Sequence, residues 1–75
     1  MTIIEIRPHH SGWKAFEALG VEPVFADGHE RGSGKRYAIN YAMERIAFRA
    51  GEIRVLNDEG ALQDIVTFDE TKRRL

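Results

Sequence analysis

The stretch SGKRYAINYAMERIAFRA, residues 33–50, decides the fold because its hydrophobic period differs from that of the rest of the chain. At about 100° per residue, small and apolar side chains recur on one face, which is typical of an amphipathic helix. That face is formed by Ala38, Ile39, Ala42, Met43, Ile46 and Ala50. We therefore predict a helix from Ser33 to about Ala50, with Gly51 as its C-cap and with its alanines close to a sheet.

Three strands are predicted before the helix. TIIEIRP, residues 2–8, is rich in β-branched residues, and Pro8 is expected to close this strand because proline donates no ladder hydrogen bond. GWKAFEAL, residues 12–19, is predicted to pair back as a hairpin. A helix is the alternative for these residues, although the glycines that bracket them favour a strand. EPVFA, residues 22–26, is predicted to be a short edge strand because of its proline.

The stretch after the helix, EIRVLNDEGALQDIVTF, residues 52–68, predicts a hairpin. Asn57 and Asp58 suit a type I turn, and Gly60 suits the left-handed bulge position that follows it. The predicted order is therefore β-β-β-α-β-β, an α+β fold with a four- to five-stranded antiparallel sheet and one helix packed on one face. Because one helix covers only one face, the other face is expected to be polar or covered by another molecule.

Size and composition limit the classes of function. The 75 residues predict a single domain over residues 1–75, with a frayed, solvated tail from about residue 69. The chain has no cysteine, which excludes disulfides and thiolate zinc sites and fits a reducing cytoplasm. A net charge of -1 argues against a protein devoted wholly to nucleic acid. Neither a membrane span nor a signal peptide is predicted.

Three segments resemble the small bacterial proteins of domain-of-unknown-function family 2188. They are SGWKAFEA, KRYAINYA and IRVLNDEGAL, and the likeness extends over residues 11–62. The positions that carry it are Gly12, Trp13, Lys35, Ala38, Ile39, Ala42 and Gly60. The segment VEPVFADGHERGSG, residues 21–34, departs from the family, in which a shorter link is expected. The resemblance implies a compact α+β module, and it carries over no activity or catalytic residue.

The segment DGHERGSGKRYA, residues 27–38, comes close to a phosphate-binding loop without completing one. Gly28 and Gly34 are separated by five residues, and Arg36 stands where the loop needs a hydroxyl for magnesium. Nucleotide hydrolysis is therefore not expected. A weaker interpretation is that Ser33 caps the helix and leaves free amides that bind an anion. The residues of this predicted anion site are Arg31, Ser33, Lys35 and Arg36. The alternative is a loop that only leads into the helix.

Other side chains do not form a recognisable site for metal or catalysis. His9 and His10 are adjacent and are expected to point to opposite sides, and His29 has no partner at a spacing that guarantees convergence. Ser11 next to His10 lacks an orienting carboxylate. We therefore predict a protein that is not an enzyme and has no cofactor or bound metal. Trp13 is predicted to be a core residue, with base stacking as the alternative.

A second stripe on the helix predicts an interface. Tyr37, Tyr41 and Phe48 fall on one side, opposite the alanine-rich face. Two explanations are open, that a partner or second copy covers these rings or that the chain's own loop or tail does. We predict a cytoplasmic, non-catalytic interaction module of a bacterial or mobile-element protein, a homodimer or the partner of another protein. Nucleic-acid binding at the basic helix end and inhibition of a larger protein are the alternatives.

Overall fold

The computed structural model describes residues 2–17, 20, 22–30, 32–47 and 50–68. Within these ranges the chain forms five strands and one helix, and their bounds are β1 Thr2–His9, β2 Gly12–Glu17, β3 Val24–Ala26, α1 Ser33–Arg45, β4 Gly51–Leu56 and β5 Leu62–Phe68. The prediction of an α+β fold with one helix and a four- to five-stranded sheet is confirmed, and the sheet has five strands.

The prediction of an antiparallel sheet was wrong, because the sheet is mixed. The strands lie in the order β3-β2-β1-β4-β5, which differs from their order along the chain. β1 pairs with β4 in parallel, with Ile4 beside Ile53 and Ile6 beside Val55. The other pairs, β1 with β2, β2 with β3 and β4 with β5, are antiparallel. The helix provides the crossover that parallel strands need, and it returns the chain to the free side of β1.

The neighbouring strands β1 and β4 supply three of the four largest fully buried side chains. Ile4, Ile6 and Ile53 are fully buried beneath α1, and they alternate along β1 and β4 with residues that face away from the helix. Trp13 on β2 is only 4% exposed, which confirms its predicted place in the core. The remaining buried apolar residues are Ala15, Ala38, Ala42, Ile46 and Val55.

The helix is shorter than predicted, and the face that it buries is rotated about the helix axis relative to the predicted face. It ends at Arg45, and Ile46 is its C-cap, with the Ile46 amide donating to the carbonyl of Ala42. Gly51 is not a C-cap, because it begins β4, and the preceding residue Ala50 already accepts a sheet hydrogen bond from the Thr2 amide at 3.2 Å. A residue whose backbone carbonyl is hydrogen-bonded to a strand cannot also continue the helix.

The buried row of the helix is Gly34, Ala38 and Ala42, followed by Ile46, a spacing of four residues. Met43 was predicted in the core and is 43% exposed, and Ala50 is also exposed. The helix packs mainly over β2 and β3, away from the centre of the sheet. In this position the side of the helix that carries Tyr41 faces the core, and the side that carries Met43 faces outward.

The prediction that Pro8 closes the first strand was also wrong. Pro8 lies inside β1 and pairs with Trp13 of β2, and the strand continues to His9. The pairing of β1 with β4 stops at Ile6, so β1 beyond that point has a neighbour on one side only. A proline is tolerated there because its missing amide hydrogen faces no strand. The strand predictions for residues 12–19 and 22–26 are confirmed for β2 and for the edge strand β3.

Candidate interaction surface

The beginning of the helix is capped differently from the prediction. The N-cap is Gly32, and Ser33 makes no side-chain cap; the Ser33 hydroxyl instead accepts the Gly28 amide at 2.7 Å. The carboxylate of Asp27 takes the capping role and accepts the Gly34 amide at 2.8 Å. Only glycine fits at position 34, because a Cβ there would lie 2.2 Å from the carbonyl oxygen of Phe25.

The backbone amides that an anion would need are occupied. The Ser33 amide donates to the carbonyl of Glu30, and the Lys35 amide donates to the carbonyl of Gly32. Together with the Asp27–Gly34 bond, these contacts use the first three amides of the helix. Asp27 itself supplies the negative charge that a helix N-terminus favours.

The two described basic side chains of the predicted anion site, Lys35 and Arg36, contact other residues of the chain. Lys35 Nζ donates to Gln63 Oε1 at 2.6 Å and lies 4.8 Å from the centre of the Trp13 ring. Arg36 lies 3.8 Å from the carboxylate of Glu30. Arg31 is outside the described residues. A shallow depression beside Lys35 is lined by Asn57, Asp58, Glu59 and Gln63. Its two carboxylates oppose the binding of an anion.

Of the three rings of the predicted interface stripe, the structure describes two, Tyr37 and Tyr41, and they differ in exposure. Tyr41 is half-buried, and its ring lies 5.7 Å from that of Phe25 on β3. The chain itself therefore covers this ring in part. Tyr37 is 58% exposed, and Phe48 lies outside the described residues.

The two adjacent histidines lie where β1 ends, with His9 as the last residue of the strand. His10 occupies the turn between β1 and β2 with a positive φ of 49°, and its ring meets that of His9 edge to face at 4.5 Å. No group of three or more His, Cys, Asp or Glu side chains that could hold a metal occurs among the residues that the structure describes. Nor does any helix in those ranges have the length and apolarity needed to cross a membrane.

The sheet face opposite α1, here called the open face, carries charges in pairs. Arg7 binds Glu5 and Arg54 binds Glu52, in each case two residues apart on one strand. Lys14 lies 3.2 Å from Glu22, and the Arg7 guanidinium stacks 4.1 Å from the centre of the Phe16 ring. The positive charges of this face are therefore balanced locally.

On the helix side of the sheet, the ion pair between Arg45 and Glu17 also balances a positive charge. The hydrogen bond that Glu17 accepts from Arg45, together with the carboxylate charge, raises the pKa of Arg45 above its ordinary value. Of the six described basic side chains, five contact a carboxylate, and the sixth, Lys35, contacts Gln63. This leaves little unbalanced positive charge in the described part of the chain for a polyanion.

The surface that sequence reasoning missed is the edge strand β5. It is seven residues long, pairs with β4 on one side and ends the sheet on the other. Leu62 is 55% exposed and Ile65 is 45% exposed, and their partners Leu56 and Arg54 place both on the open face. The sequence signal was the uncharged run IVTF, residues 65–68, but only the strand order shows that this run lies at an edge.

Backbone direction identifies the groups that β5 presents at its edge. The Asn57 amide donates to the carbonyl of Ala61 at 2.8 Å, so odd-numbered residues of β4 point toward β5. Val66, the partner of Ile53, therefore points back toward β4. Because the direction alternates along a strand, Ile65 and Thr67 point their amides and carbonyls outward. In agreement, the Ile65 amide donates to the side chain of Asp64 at 2.8 Å, and not to a strand.

On the helix side, β5 borders a groove that α1 leaves uncovered. Its lining consists of Lys35, Ile39, Val55, Gln63, Asp64 and Val66. Ile39 and Val66 are partly buried against the core, so the groove exposes their outer surfaces. The edge of β5 thus has apolar side chains on both of its faces, Ile65 on the open face and Val66 on the helix side.

Comparison with known proteins adds no relative from which a function could be transferred. No family model, no curated protein and no solved structure matches the chain. The resemblance to domain-of-unknown-function family 2188 stays a prediction.

Proposed function

We propose that this chain is a small, non-catalytic protein-interaction module that self-associates, acting in the cytoplasm of a bacterium. The observation that carries the proposal is the edge strand β5, which combines outward-facing backbone groups with exposed Leu62 and Ile65. A long edge of this kind is usually shortened, charged or covered, because it can pair with another strand. The only charged residue within Leu62–Phe68 is Asp64.

Size supports self-association. A chain of this length buries a limited core, and assembly with a second copy is one of the ways in which small domains gain stability. The described core contains nine buried apolar residues, of which three are alanines. Burial of further apolar surface would therefore have a large relative effect on stability.

The test is the solution mass of the chain as a function of its concentration and of salt. We expect a monomer–dimer equilibrium at protein concentrations between about 10 μM and 1 mM, because small interfaces are usually weak. Because the contact is largely uncharged, association should change little between low and high salt. A constant monomer mass over the whole range would contradict the proposal.

Polyanion binding through Lys35 and Arg36 is the alternative, and the same sample can test it. A titration with DNA or RNA should show binding that falls steeply with salt if phosphate contacts are made. Replacing both residues, Lys35→Ala with Arg36→Ala, should then abolish it. The contacts of Lys35 with Gln63 and of Arg36 with Glu30 favour the interaction module.

A further inference from the structure

We propose that two copies of the chain join through β5, antiparallel and about a two-fold axis that passes beside Val66. This inference rests on the proposed self-association and names its surface and its register. The result would be one continuous sheet of ten strands, five from each copy.

The register follows from the regular part of β5. Its pairing with β4 shifts between Val55 and Leu56, so that regular pairing begins at Asp64 and continues to Phe68. Val66 is the centre of this segment. A two-fold axis there pairs the whole segment with itself, and it is the closed symmetry by which identical surfaces meet.

In this register the outward backbone groups satisfy one another. Ile65 lies opposite Thr67 of the second copy, and each of the two residues offers an amide and a carbonyl. Four hydrogen bonds form about the axis, of the same type as in any antiparallel sheet. The Ile65 amide exchanges its present contact with the Asp64 side chain for a backbone carbonyl.

Side chains meet on both faces of the extended sheet. On the open face, Ile65 lies against Thr67 of the second copy. On the helix side, Val66 meets its own symmetry mate, at the short distance typical of pairs without mutual hydrogen bonds. The two grooves that α1 leaves uncovered then join across the axis, with Ile39 on each outer wall.

The charge pattern favours a second copy over a different strand. Residues 65–68 carry no charge that would select a partner of opposite sign. The two Asp64 carboxylates are not opposite each other, because four residues separate them along the strands, about 14 Å. That separation exceeds the screening length of about 8 Å at physiological salt. Within Asp64–Phe68, the paired segment that the structure describes, self-pairing therefore brings no like charges together.

A pair of matched variants tests the surface. Ile65→Lys replaces an exposed apolar side chain of β5 with a charge, and the two ammonium groups would lie about 7 Å apart along the strands. We expect the dissociation constant of the dimer to rise at least about tenfold. Val24→Lys is the control, since Val24 is 51% exposed on the open face of the opposite edge strand, β3. The control should dimerise like the wild type.

The outcomes separate this inference from the proposed function. If the wild type and Ile65→Lys dimerise equally, the β5 surface is rejected while self-association stands. If the wild type is monomeric at every concentration, the β5 surface and the proposed self-association are both rejected. If both variants weaken the dimer equally, the choice of β5 over β3 is rejected.

Hydrogen exchange of the wild type gives a test that needs no variant. The Thr67 amide points outward and should exchange quickly in dilute protein, then slow by at least about tenfold as the dimer forms, since its protection tracks the bound fraction. The Val66 amide, which points toward β4, should be protected at every concentration. A Thr67 amide whose exchange does not depend on concentration in a sample that does dimerise would overturn the proposed register.

Discussion

The carboxylate of Asp27 accepts a hydrogen bond from the backbone amide of Gly34, with 2.8 Å between Oδ1 and the nitrogen. This contact joins the end of β3 to the first turn of α1. It occupies the helix N-terminus with a negative charge from the chain itself. The interpretation of the preceding loop as an anion site depended on that position being free.

Removal of this cap should destabilise the protein. Asp27→Ala is expected to lower the free energy of unfolding by about 1 kcal/mol, the usual effect of losing an N-cap side chain. Asp27→Asn keeps an accepting oxygen and should retain most of the stability. The measurement is chemical denaturation monitored by circular dichroism.

Ser33→Ala is the control for this prediction, because the Ser33 hydroxyl accepts the exposed Gly28 amide and does not cap the helix. Its effect should stay within about 0.5 kcal/mol, as is typical of exposed positions. A larger loss for Ser33→Ala than for Asp27→Ala would mean that the serine is the true cap.

The two tyrosines of the helix should differ in their effect on stability. Tyr41→Ala removes a half-buried ring that packs against Phe25. We expect a loss of about 1–3 kcal/mol, less than for a fully buried aromatic side chain. Tyr37→Ala removes a side chain that is 58% exposed and should be nearly neutral.

The measurements are the melting temperatures and the solution masses of Tyr41→Ala and Tyr37→Ala. Tyr37→Ala should also leave self-association unchanged, because this residue lies on the helix and not on β5. If Tyr37→Ala is monomeric but keeps the melting temperature of the wild type, the interface lies on the predicted helix stripe and not on β5.

Gly60 supports the β4–β5 hairpin through its positive φ of 83°. The Asn57 side chain accepts the amides of Glu59 and Ala61, which fixes the turn around it. Gly60→Val should cost on the order of 1 kcal/mol or more, because a β-branched residue is strained in the left-handed region. For a domain of this size, each 1 kcal/mol lowers the melting temperature by about 4–8 °C.

Gly60→Asn is the comparison, since asparagine adopts this conformation more readily. Its melting temperature should lie between those of the wild type and Gly60→Val. Equal melting temperatures for all three proteins would show that the turn does not need a left-handed residue.

The sequence predicted those features that depend on near neighbours in the chain. The period of residues 33–50 indicated a helix, and NDEG indicated a turn with glycine in the left-handed position. Trp13 was assigned to the core from its size and apolarity. Each of these features is set by interactions within a few residues or by burial of one large side chain.

The sequence pattern did not predict where the helix axis lies over the sheet. The helix face was predicted from apolarity alone and included Met43, whereas α1 lies over β2 and β3 and turns Tyr41 toward Phe25. The first helical amides were predicted to be free, whereas Asp27, seven residues before Gly34, reaches one of them. Both differences arise from contacts between separate elements.

The sequence by itself determined the type and chain order of the elements, because local period and turn chemistry select them. Only the tertiary structure decided that β4 lies beside β1 in parallel and that β5 forms the edge of the sheet. The physical reason is that strand order depends on which apolar faces are buried together. Ile4 and Ile6 are buried beside Ile53 and Val55 only when the last hairpin follows the crossover to the free side of β1. That placement leaves Ile65 and Thr67 at an open edge, where the proposed function is located.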